Sequence, residues 1–279
     1  MAQPLSTIDP DAMLRAEIEH HSLHLPPLPG VAAQVLAINV DGNDGASELA
    51  KLIQQDQSLA SNVMRIVNSP SFRGATEIVA LQQAIARLGM SRIREMALSV
   101  SLKAVLDQKG PYDVLVQAAW QRALGSALWA REVARMCRKN VENAYLGALL
   151  HNIGAPVVLH RLSALEDADA VSGCVADELA QRHLQRAGLM LIESWHLPAL
   201  LARYVEVQGD FDAAAADGDL VACVAAGVAI AQCVEQETLS LESIVELPAI
   251  SFLNLYPDDA QTLLDMRDSV AQLMTEMNG

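Results

Sequence analysis

Apolar side chains recur at three- and four-residue intervals along almost the whole chain, and very few segments alternate apolar and polar with period two. That spacing gathers apolar groups on one face of an α-helix and would scatter them over both faces of a strand, so it predicts an all-α fold. Prolines, glycines and capping residues mark the ends. Asp9-Pro10 reads as an N-cap followed by a proline pre-set for the first helical position, opening a helix to about His21. His24-Leu25-Pro26-Pro27-Leu28-Pro29 has to be extended, because proline lacks an amide hydrogen and biases the residue before it away from helix.

Further helices are expected from Gly30 to Val40, ended by the turn Asp41-Gly42-Asn43-Asp44-Gly45, and from a Ser47 cap through Gln55. A fourth carries the stripe Leu59, Val63, Ile66 and Val67 and stops before Pro70. Helices follow from about Ile78 to Leu88 and from Ser91 to Leu106, the latter with its stripe on Ile93, Met96, Ala97, Val100 and Ala104. Lys109-Gly110-Pro111 breaks the chain; beyond it Tyr112 to about Lys139 suits one long helix, and Val141 to Leu150 is apolar on every side and therefore buried. Asp177–Trp195, Pro198–Val207, Asp217–Glu235 and Asp259–Met277 complete the set, the last opened by Asp258 and Gln261 at capping-box spacing. Gly209 to Gly218 reads as an acidic loop.

Of 279 residues, 52% are apolar and 4% aromatic, enough for an ample core that needs neither disulfides nor a structural metal. Nineteen basic against 34 acidic side chains leave a net charge of −15, which repels phosphate backbones and argues against a nucleic-acid partner. The densest basic spots, Arg92 with Arg94 and Arg135 with Arg138 and Lys139, read as solvated helix faces. No basic start precedes an apolar stretch at the N-terminus, and the longest apolar run, Leu220 to Ala231, falls short of the about 20 residues of a membrane span. A cytoplasmic protein without membrane contact is expected. Cys137, Cys174, Cys223 and Cys233 lack zinc or redox spacing and read as buried, reduced thiols.

The densest chemistry lies at Gly147-Ala148-Leu149-Leu150-His151-Asn152-Ile153-Gly154, where an imidazole and an amide end a buried helix. Both side chains need partners there. A hydrogen-bonded structural histidine with a helix-terminating Asn and Gly is one reading; a metal ligand is the other, weakened by Asn152, whose amide oxygen is a poorer donor than a carboxylate. His20, His21 and His24 read as a solvated cluster, and His183 and His196 as exposed or core-edge. Nucleophile-elbow, Walker and dinucleotide glycine patterns are absent from the sequence.

In order and spacing, several of these residues resemble a known family. Leu25-Pro26-Pro27-Leu28-Pro29, Ile53 through Asp56 with Leu59, Arg65 to Ser69, Ile78, Ala84-Ile85, Leu88-Gly89, Trp120, Gly147 to Gly154, and Gly188 with Trp195, Leu197 and Pro198 are similar to HDOD, the HD-related output domain of bacterial signalling proteins. The resemblance implies a multi-helical HDOD domain over 24–235, with an N-terminal helical part at 24–109 and a part similar to HD phosphohydrolases at 112–235. It leaves an N-terminal helix at 1–23 and a helical tail at 236–279. Active HD relatives hold a metal through a His, a His-Asp pair and a later Asp, and use metal-bound water on a phosphoester. Carried onto this chain, those positions read Arg122, His151-Asn152 and Gly227, and a further family histidine falls on Leu184 beside His183.

The resemblance therefore implies a non-catalytic signalling or scaffold protein with a degenerate HD site, no metal and no cofactor. Its partner would be a protein of a bacterial signalling pathway, met by Leu25, Pro26, Pro27, Leu28, Pro29, Asn68, Ser69 and Phe72, unless these only connect helices. Arg122, His151 and Asn152 could contact an anion such as a nucleotide without hydrolysing it, unless a carboxylate of the fold neutralises Arg122. The enzymatic alternative is a metal-dependent phosphohydrolase of a nucleotide or cyclic nucleotide using other ligands, such as His183, His160 and Asp219.

Overall fold

The computed structural model describes residues 9–38, 44–72, 74, 76–106, 109–165, 171–207 and 217–278; among these are sixteen helices and no strand, as the periodicity predicts. They are α1 (Pro10–Glu19), α2 (Gly30–Ala37), α3 (Gly45–Gln55), α4 (Gln57–Val67), α5 (Leu81–Leu88), α6 (Met90–Leu106), α7 (Asp113–Met136) and α8 (Val141–Leu150). The second half adds α9 (Gly154–Ser163), α10 (Gly173–Ser194), α11 (Ala199–Val207), α12 (Gly218–Glu235), α13 (Leu241–Val245), α14 (Pro248–Phe252), α15 (Pro257–Asp265) and α16 (Arg267–Asn278).

Helix α7 is the axis. Every residue from Ala123 to Ala134 is buried, and α6, α8, α9, α12, α15 and α16 pack around it. With few aromatics to fill gaps, the helices approach through small residues. A Cβ on Gly227 of α12 would lie 2.4 Å from the backbone nitrogen of Ala130 in α7. One on Gly154 of α9 would lie 1.9 Å from the carbonyl oxygen of Leu184 in α10. Helix α12 is long and apolar enough to cross a membrane by length and composition alone, with mean hydropathy 1.5, but half of it is buried against its neighbours here. The 18-residue helix exceeds the apolar run read from sequence because Gly218, Asp219 and the Gln232–Glu235 segment extend it.

Several boundaries differ from the expectation. Helix α3 begins at Gly45, so Ser47 lies inside its first turn and caps nothing; the Asp41–Asn43 part of the preceding turn, and most of the Gly209–Gly218 loop, lie outside the described residues. Helix α5 starts at Leu81 because the Asn68 amide pairs with the backbone of Ile78, donating to its carbonyl and accepting from its N–H, both at 2.8 Å, which holds that stretch extended. Gly154, read as a terminator, opens α9: its φ is not positive, and its missing side chain admits α10. The expected C-terminal helix is split at Met266 into α15 and α16, and α15 is capped by Asp259, whose carboxylate accepts from the Tyr256 N–H at 2.9 Å.

On α6, Val100 is half-buried and Ala104 exposed, while Arg94 and Glu95 are buried. Arg94 is thus no solvated charge: it bonds Glu142 of α8 at 2.9 Å and the Leu36 carbonyl at 2.7 Å. Arg131 donates to Glu132 at 2.7 Å and approaches Glu95 at 3.8 Å. Burial raises the Glu95 carboxyl to about 8. The cysteines also depart from expectation, since Cys223 alone is buried, Cys137 and Cys233 are half-buried and Cys174 is exposed. Cys174 sits in the first turn of α10, where only the Ala176 and Leu179 side faces the core.

The ends of the chain are tied to this frame by polar clasps. Arg161 of α9 holds Glu17 of α1 at 2.6 Å, and His183 and Arg182 of α10 hold Asp11 at 2.7 and 3.0 Å. At the other end, α16 lies on α7, where Trp120 donates its indole N–H to Asn278 at 3.0 Å.

Substituting Gly154→Ala should destabilise the protein by about 2–4 kcal/mol, because backbone rather than a flexible side chain blocks the new methyl. Gly173→Ala, at an α10 position with open space around it, should be neutral or slightly stabilising. Urea unfolding of the two variants checks both.

Candidate functional site

Helices α7, α10, α11 and α12 and the α8–α9 turn enclose a cavity of about 620 Å³. Arg122, His151 and Asn152, singled out from the sequence, all line it. Leu150 ends α8, His151 caps it, and Gly154 locks α9 onto α10 three residues later, so the turn carrying both polar side chains is fixed from each side.

His151 Nδ1 lies 2.5 Å from the Ala148 carbonyl oxygen, which makes Nδ1 the protonated nitrogen and leaves Nε2 as an acceptor. Burial, assisted by the nearby Arg122 charge, lowers the imidazole to about 4, so it is neutral at pH 7. Asn152 is 5% exposed; its amide donates a long 3.3 Å bond to the Ala119 carbonyl, and its side-chain oxygen has no partner. Arg122 is bound on two sides by Glu235, the last residue of α12, with Nε and Nη2 each 2.9 Å from a carboxylate oxygen. That hydrogen bonding raises the guanidinium and lowers the carboxyl, so both stay charged and neutralise each other. Arg122 is thus paired with a carboxylate of the fold.

Gly227 is not part of the cavity. It faces the opposite side of α12, against Ala130, while Val221, Val224 and Val228 face the cavity. Leu184 lines the cavity and its neighbour His183 points to Asp11, so a register slip does not bring an imidazole in. The alternative ligand set is dispersed: His183 pairs with Asp11, Asp219 with Lys139, and His160 bonds the Leu106 backbone. Among the described residues no three His, Cys, Asp or Glu side chains are grouped as a metal would need. The cavity offers one neutral imidazole, one amide, a carboxylate held by Arg122 and the ungrouped Asp177, which do not fit a divalent cation.

Sequence reading missed Tyr204, Asp177, Gln181 and the α12 wall. The wall had a signal, since Val221, Val224, Val228, Gln232 and Glu235 recur at helical spacing and turn polar at one end. Tyr204 had none, because nothing in sequence tells a buried hydroxyl without a partner from one with a partner.

The residues expected to meet a partner fall at two places. Leu25 and Pro29 are half-buried and Pro26 is buried, its carbonyl accepting the Trp195 indole N–H at 2.8 Å; Pro27 is exposed and Leu28 half-buried. Asn68 is spent on Ile78, and the Phe72 ring carries Arg92 at 5.5 Å from its centre. Ser69 and the Ser71 N–H both donate to the Glu276 carboxylate of α16, at 2.7 and 3.0 Å, and Arg65 donates to the Glu276 carbonyl at 2.8 Å. The 69–72 loop is thus tied to a helix of the chain itself, with Pro70 and Ser71 still exposed.

Two measurements follow from this geometry. Glu276→Ala should speed amide exchange at Ser71 and along α16 by about tenfold, since the carboxylate that protects the Ser71 N–H is gone; exchange mass spectrometry reads it. His151 is held neutral with a folded value of about 4, below its ordinary 6.5, so the unfolded chain takes up the proton first as pH falls. Stability should drop between about pH 6.5 and 4 more steeply than in His151→Gln, as urea midpoints against pH would show.

Comparison with known proteins matches this architecture. A solved HDOD domain protein of unknown function from Geobacter sulfurreducens superposes with a TM-score of 0.72 at 20% identity, covering 97% of this chain and 98% of its own. A Shewanella amazonensis structure, named provisionally as a metal-dependent phosphohydrolase, superposes at 0.70 with 18% identity over 96% and 97%. In sequence, an uncharacterized protein of Treponema pallidum is 23% identical over 196 residues, 66% of this chain, and the chain spans 37% of that relative's length. The model of the HDOD domain matches residues 25–211, starting at the proline segment that Trp195 holds and running through the α8–α9 turn, and on that match the chain belongs to the HDOD domain family.

Proposed function

We propose that this HDOD protein is a non-catalytic signalling protein that works by binding, with an HD-type pocket that holds no metal. The observation that carries the reading is Arg122. It stands where the family resemblance places the first metal ligand, and its guanidinium is bound by Glu235 across the cavity mouth. A cation arriving there would find one imidazole and a neutral amide, with Glu235 held by Arg122 and Asp177 not grouped with other ligands as a metal needs. Membership of a family of bacterial signalling domains supports the signalling role, and the 69–72 loop and proline segment are the surfaces proposed for a protein partner. The other reading, the phosphohydrolase activity in the name of the Shewanella neighbour, would need a donor set that the cavity does not offer.

Titration of the native protein with Mn²⁺ should give no stoichiometric binding and no phosphodiesterase turnover, while Arg122→His combined with Asn152→Asp should gain Mn²⁺ affinity. One equivalent of metal in the native protein, with turnover that depends on it, would overturn the proposal.

A further inference from the structure

Two polar atoms on residues that line the cavity are buried without a partner. One is the Asn152 side-chain oxygen, on a residue 5% exposed; the other is the Tyr204 hydroxyl, on a residue 3% exposed. Buried polar groups are nearly always paired, because an unpaired one forfeits its hydrogen bonds to water and regains nothing. Both residues line the same cavity, so a small turn of each side chain would let one ligand satisfy both atoms. Asn152 Oδ1 only accepts, and its own amide is already turned to Ala119; it calls for an N–H or O–H. The Tyr204 hydroxyl can donate to a carbonyl.

The remaining walls limit what else the ligand can be. Val221, Val224, Val228 and Leu184 give it an apolar body to pack against. The ionisable lining is one guanidinium against two carboxylates, Arg122 against Glu235 and Asp177, and Glu235 holds two of the five guanidinium N–H groups. His151 is neutral. An anion therefore meets a guanidinium already neutralised by Glu235 and an excess of negative charge, which disfavours a phosphate or carboxylate ligand. A cation could pair with Asp177 but would leave the Tyr204 hydroxyl without an acceptor, since an ammonium only donates.

We propose that the cavity binds an uncharged small molecule with an amide-type N–H, a carbonyl and an apolar body, the N–H donating to Asn152 and the carbonyl accepting from Tyr204. This rests on the reading of the pocket as metal-free, because a bound cation would claim the same Asn152 oxygen. The ligand class also differs from the nucleotide expected from Arg122 in the sequence.

The test uses three probes that share an isopropyl group and differ in charge: the neutral cyclic dipeptide cyclo(glycyl-valyl), the anion N-acetylvaline and the cation valinamide. Ligand-observed NMR with the native protein should show cyclo(glycyl-valyl) binding with Kd of about 1 mM or tighter, and both charged probes weaker by about tenfold. Tyr204→Phe, which removes only an unpaired hydroxyl, and Asn152→Leu, which also removes the long bond to Ala119, should each weaken the neutral probe by about tenfold, with the melting temperature of Tyr204→Phe unchanged or higher. Absence of binding by the neutral probe, equal or tighter binding of a charged one, or indifference to both variants would overturn the proposal. Mn²⁺ titration of the same sample separates this failure from that of the metal-free reading, since metal uptake would sink the latter whatever the probes do.

Discussion

Backbone-to-backbone contact at positions without a side chain sets the spacing of the helices. Gly227 lets α12 lie on α7 at Ala130, and Gly154 lets α9 lie on α10 at Leu184 and Gly188. Such contacts are rigid, because backbone cannot move aside as a side-chain tip can. The cavity inherits that rigidity: His151 and Asn152 ride on the turn just before Gly154, and the valine wall is the face of α12 turned away from Gly227. A core of mainly small and aliphatic residues, with 4% aromatics in the chain, leaves few bulky side chains to set these distances instead.

Charge is separated by place. Between α6, α7 and α8 the buried ions are paired, Arg94 with Glu142 and Arg131 with Glu132, while burial favours the neutral form of the nearby Glu95. Removing one member of such a pair strands the other in a poor solvent, so each pair is costly to break while adding little net stability. At the cavity the ion pair sits at the mouth and half-exposed, while the inner surface carries uncharged polar atoms.

Much of this was legible in the sequence because periodicity reports which face of a helix is wet. It gave the helix count through α8 nearly correctly and brought Arg122, His151 and Asn152 forward together, on local composition and on family resemblance. It failed where tertiary contact overrides local rules. Gly154 looks like a stop signal and is a contact point; Arg94 looks solvated and is buried beside Glu142; Asn68 looks available and is bonded to Ile78. Gly227 was aligned by family spacing alone, and helical phase puts it on the far face of α12. No local pattern marks α16 as the partner of the 69–72 loop, since Ser69 and Glu276 are 207 residues apart.

That distance has a kinetic meaning. The helices can form and pair locally, whereas the clasps Arg161–Glu17, Trp195–Pro26, Trp120–Asn278 and Arg65–Glu276 close loops of 144, 169, 158 and 211 residues. Closing such loops carries an entropy cost before any contact rewards it, so a helical protein with these links has a higher contact order than its helix content suggests. The bundle around α7 can assemble first, and the two chain ends, α1 and α16, would then settle onto it as the last events of folding and the first of unfolding.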